Sequence, residues 1–219
     1  MTNGPLPRAA VFVDGANVFR RYKAALGIDA NTLDLRKVAK SLAGPSRQVV
    51  EVRYYTGKAH GGGDRAILAQ QQALFSTLQK HGVIIRLGRL EERTKKNDLS
   101  AELLRYLATP QPPADRLPPV VYRAIHAMAQ RHSEVSYWVQ KAVDTLLVAE
   151  LAGMAAKNQY DVAYVLSNDG DMTPGIELAR SFGKTVFGAG PAGAPNYQIR
   201  QACNDYIVLD AARLATCLQ

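Results

Sequence analysis

Short apolar runs alternate with longer amphipathic stretches along most of the chain. Residues 9–13 are apolar and end on Asp14-Gly15-Ala16-Asn17, which predicts a strand, a glycine-permitted turn and a helix from about Asn17. A helix over 33–42 stops at Gly44-Pro45, and 48–56 reads as a second strand, with Val49, Val50, Val52, Tyr54 and Tyr55. Residues 64–80 form an amphipathic helix with Ile67, Leu68, Leu74, Phe75 and Leu78 as core candidates, and 83–90 a third strand. This strand–helix alternation predicts an α/β fold with a central, mostly parallel sheet. Residues 161–167 carry Val162, Tyr164, Val165 and Leu166, an apolar run with the pattern of a strand buried on both faces. Further strands are expected at 184–188 and 206–209, with helices at 176–182, 194–203 and 211–218, for five or six strands in all.

The segment 91–139 breaks this rhythm. A basic run with Arg93, Lys95 and Lys96 precedes a helix over 99–108; a proline-rich loop follows, then a helix over 120–131. We read a single domain over 1–219 with 91–139 as an inserted or elaborated helical segment, either a substrate-contacting edge or a structural addition.

Two strand ends stand out chemically. Residues 161–167 lead into Asp169-Gly170-Asp171, and residues 9–13 lead into Asp14. If the backbone stays extended, Asp169 and Asp171 project to one side. The C-terminal ends of parallel strands are where ligands bind in such sheets. Carboxylates gathered there repel one another unless a proton, a basic side chain or a hard divalent cation intervenes. Turn formation and helix capping account for the same residues equally simply. Pro174 suits the first turn of a following helix. A fourth carboxylate, Asp144, opens a long helix expected to run to about residue 158; Leu147 and Leu151 follow at three and seven positions, which places Asp144 on the inward stripe. Glu150, six residues on, lies about 120° around the helix and about 9 Å along it, so it cannot duplicate Asp144.

Composition narrows the partners. The formal charge is +8 with a pI near 9.6, which favours polyanions such as nucleic acid. Two widely spaced cysteines make neither a metal finger nor a disulfide framework, and no apolar run reaches membrane-spanning length, so the default expectation is a reduced, cytoplasmic protein without a membrane partner. The glycine run 61–63 lacks the Gly-Lys-Ser/Thr ending of a phosphate loop, no Gly-x-Gly-x-x-Gly follows the first strand, and no nucleophile triad is evident among the four histidines.

Three blocks in order, Phe12-Val-Asp14-Gly-Ala-Asn17, Lys141-Ala-Val-Asp144 and Ser167-Asn-Asp169-Gly-Asp171-Met-Thr-Pro174, resemble the NYN branch of the PIN-like nucleases, which includes the LabA-like (DUF88) proteins. The resemblance covers about residues 9–209 apart from 91–139. It implies a three-layer α/β/α fold and a metal-dependent ribonuclease, with Asp14, Asp144, Asp169 and Asp171 holding Mg²⁺ or Mn²⁺ and Asn17 shaping the pocket. Lys141, Glu150, Ser167, Asn168 and Thr173 are peripheral candidates; Glu150 departs from the Asp usual at its position. Arg20, Arg21, Lys23, Arg89, Lys95, Lys96 and Arg200 would contact the phosphates of single-stranded or structured RNA. Cleavage of this type leaves a 3′-hydroxyl and a 5′-phosphate. A non-cleaving RNA- or protein-binding domain remains an alternative, as does a phosphatase of another α/β type, though Asp14-Gly-Ala lacks the Asp-x-Asp of the haloacid-dehalogenase group. A homo-oligomer or protein partner is left open by the sequence.

Overall fold

The computed structural model describes residues 4–28, 32–58, 65–110, 116–192 and 197–219, apart from the side chains of residues 67, 90, 92, 138 and 140. These fall into two compact units, one built from residues 1–89 and 140–219, the other from Leu90–Val139.

In the larger unit the chain runs through β1 (Arg8–Asp14), α1 (Gly15–Leu26), α2 (Leu35–Ala43), β2 (Gln48–Gly57), α3 (Arg65–Lys80) and into β3 (Ile84–Lys96). The smaller unit carries α4 (Asp98–Ala108) and α5 (Pro119–Arg131), and β4 (Glu134–Lys141) brings the chain back. The remainder is α6 (Val143–Ala156), β5 (Val162–Leu166), a 3₁₀ turn (Gly170–Met172), α7 (Thr173–Ser181), β6 (Thr185–Gly190), α8 (Tyr197–Ala202), β7 (Asp205–Val208) and α9 (Ala211–Ala215). Six strands pair in parallel in the order β3-β2-β1-β5-β6-β7, with β4 beside β3 at the edge.

The side-chain period of two sorts the central strands into two cores. Ala9, Val11 and Val13 of β1 join Tyr164 and Leu166 of β5 against α1, α2 and α9. Ala10, Phe12, Ala163 and Val165 face α6, α7 and α8 on the other side. From β1 the chain winds outward through β2 and β3, then returns to add β5, β6 and β7 on the opposite flank. The reversal falls between β1 and β5, so the crevice at their C-terminal ends is the topological switch point of a doubly wound sheet.

The expected architecture is present, with local differences. The third strand runs on to Lys96, so the basic run at 93–96 is strand rather than the lead-in to a helix. The sequence reading has no strand at 134–141, although Val135, Tyr137 and Val139 alternate with period two there. Along α3, Leu78 is buried while Leu68, Leu74 and Phe75 are half-buried, so this helix contributes less core than its pattern implies. The loops expected at 60–63, 109–113 and 188–195 lie wholly or partly outside the described residues. In the smaller unit Asn97 caps α4 by accepting from Ser100 N at 3.3 Å, and Ser100 Oγ donates to the His132 carbonyl at 3.1 Å.

A candidate metal centre at the strand ends

The site is built outward from Asp14, the last residue of β1 and only 4% exposed. Val13 pairs with Leu166, so Asp14 at the end of β1 and Ser167 just past β5 stand side by side. Ser167 Oγ donates to Asp14 Oδ2 at 2.8 Å and accepts from Asp169 N at 3.1 Å. Asp14 Oδ1 accepts from Asn17 N at 3.1 Å, capping α1. The capping reading of Asp14 is therefore correct as far as it goes. A carboxylate offers about four lone-pair sites, so capping does not exhaust it. Asp169 likewise caps the 3₁₀ turn by accepting from Asp171 N at 3.1 Å.

The extended backbone ends at Asp169, and Asp171 lies inside that turn as an exposed side chain. The extended backbone on which the expected parallel projection depends does not reach Asp171. Asp144 also departs from expectation. The buried stripe of α6 starts at Val143 and continues through Leu147 and Leu151, leaving Asp144 exposed in the first turn. Ala142, just before α6, holds a left-handed backbone at φ 65°. Thr173 heads α7, and its buried hydroxyl lacks a hydrogen-bond partner among the described residues.

Electrostatics nonetheless ties the four aspartates together. Burial raises the Asp14 pKa, the Asn17 amide and Ser167 hydroxyl pull it back, and the nearby Asp169 raises it further. Asp144 is pushed up by partial burial and then by Asp14, Asp169 and Asp171 together. Arg20 lowers both. Tyr54 presses on the same corner. Its phenol is pushed up to about 12 by burial and by Asp14, and a Cβ on Gly15 would sit 2.4 Å from its ring and hydroxyl. Gly15 is thus required by close approach; it opens α1 without a positive φ, so the glycine-permitted turn expected from sequence is not what demands it. Tyr54 itself was not among the sequence candidates; the Asp-Gly pair was the signal that something packs there.

The remaining candidates divide. Asn17, Arg20, Arg21, Asn168 and Asp169 line one polar hollow at the switch point. Lys23 lies exposed in the last turn of α1, Arg200 exposed on α8, Arg89 exposed on β3, and Lys141 half-buried at the end of β4. Lys95 and Lys96 belong to the smaller unit, where Lys95 stands 3.6 Å from Asp98. Glu150 is engaged elsewhere: it accepts from Arg53 at 2.5 Å, from Tyr55 Oη at 2.8 Å and from Arg86. Among the described residues, no three His, Cys, Asp or Glu side chains are close enough as placed to coordinate one ion.

The doubly wound parallel sheet, with acidic residues at the switch point, is an α/β arrangement consistent with the PIN-like fold. A sequence profile of the NYN domain matches residues 8–117 and 106–210, and the chain belongs to that family. No curated relative matches significantly. In fold it is similar to a solved protein of unknown function from Vibrio parahaemolyticus, at 15% identity and a TM-score of 0.59, with 96% of this chain and 98% of that one covered. Among the described residues no helix is long and apolar enough to cross a membrane.

Proposed function

We propose that the chain is a divalent-metal-dependent ribonuclease, cutting RNA phosphodiester bonds at the hollow between the ends of β1 and β5. The observation that carries this reading is the convergence of Asp14 and Asp169, joined through Ser167 where β1 and β5 end at the switch point, in a family whose superfamily is nuclease-like. The three sequence blocks further suggest the LabA-like branch, and the absence of a spanning helix among the described residues is compatible with the cytoplasm.

The donor set fits Mg²⁺ or Mn²⁺: four hard carboxylates and no thiolate or imidazole among the candidate ligands. Asp14 and Asp169 would be the fixed ligands, since capping bonds hold both. Asp144 and Asp171 are exposed, and the reading requires them to turn toward that pair. A bound cation would polarise the scissile phosphate, activate water and stabilise the departing oxygen. Ser167 holds Asp14 in register while receiving the Asp169 amide, so the two strand ends are positioned together. Arg20 and Arg21, at the rim of the hollow, would hold flanking phosphates without reading sequence. Lys95 and Lys96 lie in the smaller unit, and a phosphate role for them would be exercised from there.

The test is cleavage of single-stranded RNA with Mn²⁺ by wild type, Asp14→Asn and Asp169→Asn. Both variants are expected to lose at least about a hundredfold in rate, as removal of a site-defining group does, with circular dichroism unchanged. Unaltered cleavage by both would refute the site. RNA retention without fragments in the wild type would instead favour the binding-domain reading.

A further inference from the structure

A second cavity, of about 220 Å³, opens beside the carboxylate hollow and shares Asn17, Arg21 and Asn168 with it. Part of its wall is small and apolar. Ala24 and Ala25 of α1 line it, as do Ala189 and Gly190 at the end of β6. The space exists because these positions carry a methyl group or nothing.

Tyr206 closes another part of the wall. Gly188 pairs with Tyr206 across β6 and β7, and the tyrosine lies over Gly188 and Gly190, where a Cβ would meet its ring at 2.7 Å and its hydroxyl at 2.5 Å. Tyr22, 2% exposed, also lines the cavity, and its hydroxyl is buried without a hydrogen-bond partner among the described residues. Burial and the neighbouring Tyr206 both push the Tyr22 phenol up, so the hydroxyl keeps its proton. Arg21 and Arg200 are close enough to Tyr206 to pull its phenol back down against burial.

The cavity and the hollow together alternate an apolar pocket with a polar, cationic entrance. A polynucleotide alternates in the same way, with flat, largely apolar bases and charged phosphates. Small-molecule sites in general combine apolar walls with a few placed polar groups.

We infer that this cavity is a nucleoside subsite, receiving the base and ribose of the nucleotide adjacent to the bond to be cut, with Arg21 at its mouth on the connecting phosphate. The inference deepens the nuclease reading and rests on it for the identity of the chain that enters. The pocket's ability to bind a nucleotide can be measured independently.

The experiment uses the full chain, isotope-labelled and kept free of divalent cations with a chelator so that nothing is cut. AMP, CMP, GMP and UMP are titrated separately while backbone amides are followed by NMR, with inorganic phosphate and ribose 5-phosphate as controls. The Ala24, Ala25 and Gly190 amides should shift with at least one nucleotide and with neither control. A short single-stranded RNA should shift the same amides at lower concentration. Ala25→Phe fills the cavity from an exposed helix position and should weaken nucleotide binding about tenfold or more, with the melting temperature unchanged; Ala24→Phe serves if that variant is unstable. No nucleotide-dependent shift at these amides would overturn the inference, as would the same shifts with phosphate alone, or a free nucleotide binding more tightly than the RNA. RNA cleavage without the shifts removes the subsite and leaves the nuclease standing. The shifts without cleavage remove the nuclease and leave a nucleotide pocket.

Discussion

Asp14 is asked to be two things at once: a buried helix cap and a member of an acidic cluster. Burial first, and then neighbouring carboxylates, raise its pKa and that of Asp144. A group whose folded pKa lies above its unfolded value contributes stability below the unfolded pKa and loses it as pH rises through the folded one. Wild type at neutral pH therefore carries the full repulsion. Asp144→Asn is expected to melt at a higher temperature than wild type at neutral pH in chelator, with the difference closing as pH falls into the carboxylate range. Parallel thermal melts across pH check this, and an Asp144→Asn protein that melts lower at neutral pH would show that the carboxylate is stabilising where it stands. Glu150 has the opposite balance. Burial pushes it up, but the bonds from Arg86, Tyr55 and Arg53 outweigh that and hold it below its ordinary value. Its stabilising contribution is present at neutral pH and is lost on acidification through that lowered pKa. Glu150→Ala removes the anion that Arg53 and Arg86 share, while Arg53 keeps Glu51, and should cost about 1 kcal/mol, read by chemical denaturation, while RNA cleavage by the folded fraction persists.

The elements show why these residues meet. β1 and β5 are in register at Val13 and Leu166, and that pairing alone brings Asp14 to Ser167. α6 enters through Ala142 at φ 65°, a conformation that costs an L-residue roughly 1–2 kcal/mol. Ala142→Gly should stabilise the protein by about 1 kcal/mol, measured by denaturant titration; destabilisation would mean that the Ala142 methyl group makes contacts worth more than the strain. Much of this level was legible in the sequence. Apolar runs ending in Asp14 and Asp169 placed both carboxylates at strand ends, and Pro174 placed the start of α7. The side-chain directions were less legible. The heptad-like spacing of Asp144, Leu147 and Leu151 pointed Asp144 inward, but Val143 supplies the first core contact of that stripe, and a one-residue rotation is invisible to spacing alone. The Asp169/Asp171 pair read as extended because nothing in Asp-Gly-Asp distinguishes a strand end from a 3₁₀ turn. Glu150 gave no sign of its partners, since Arg53 and Arg86 lie on distant strands. The alanine-lined cavity depends on residues of α1, β6 and β7 meeting across the sheet, which no local pattern encodes.

At the scale of the whole molecule, a chain of formal charge +8 gathers acidic residues at its switch point. The excess of cations supplies long-range attraction for a polyanion, while Arg20 and Arg21 act at the rim. RNA affinity measured without divalent cation should fall with salt, with a log–log slope of about −2 if three phosphates of a single strand are neutralised. Arg20→Ala with Arg21→Ala should flatten that slope; an unchanged slope would place the phosphate contacts elsewhere. All of this turns on whether the acidic residues at the switch point accept a cation in common. The direct measurement is anomalous diffraction from a crystal soaked in Mn²⁺: a peak among Asp14, Asp144, Asp169 and Asp171, lost in crystals of Asp14→Asn, is the expected result. A saturating soak that leaves no peak among these four residues would contradict the account.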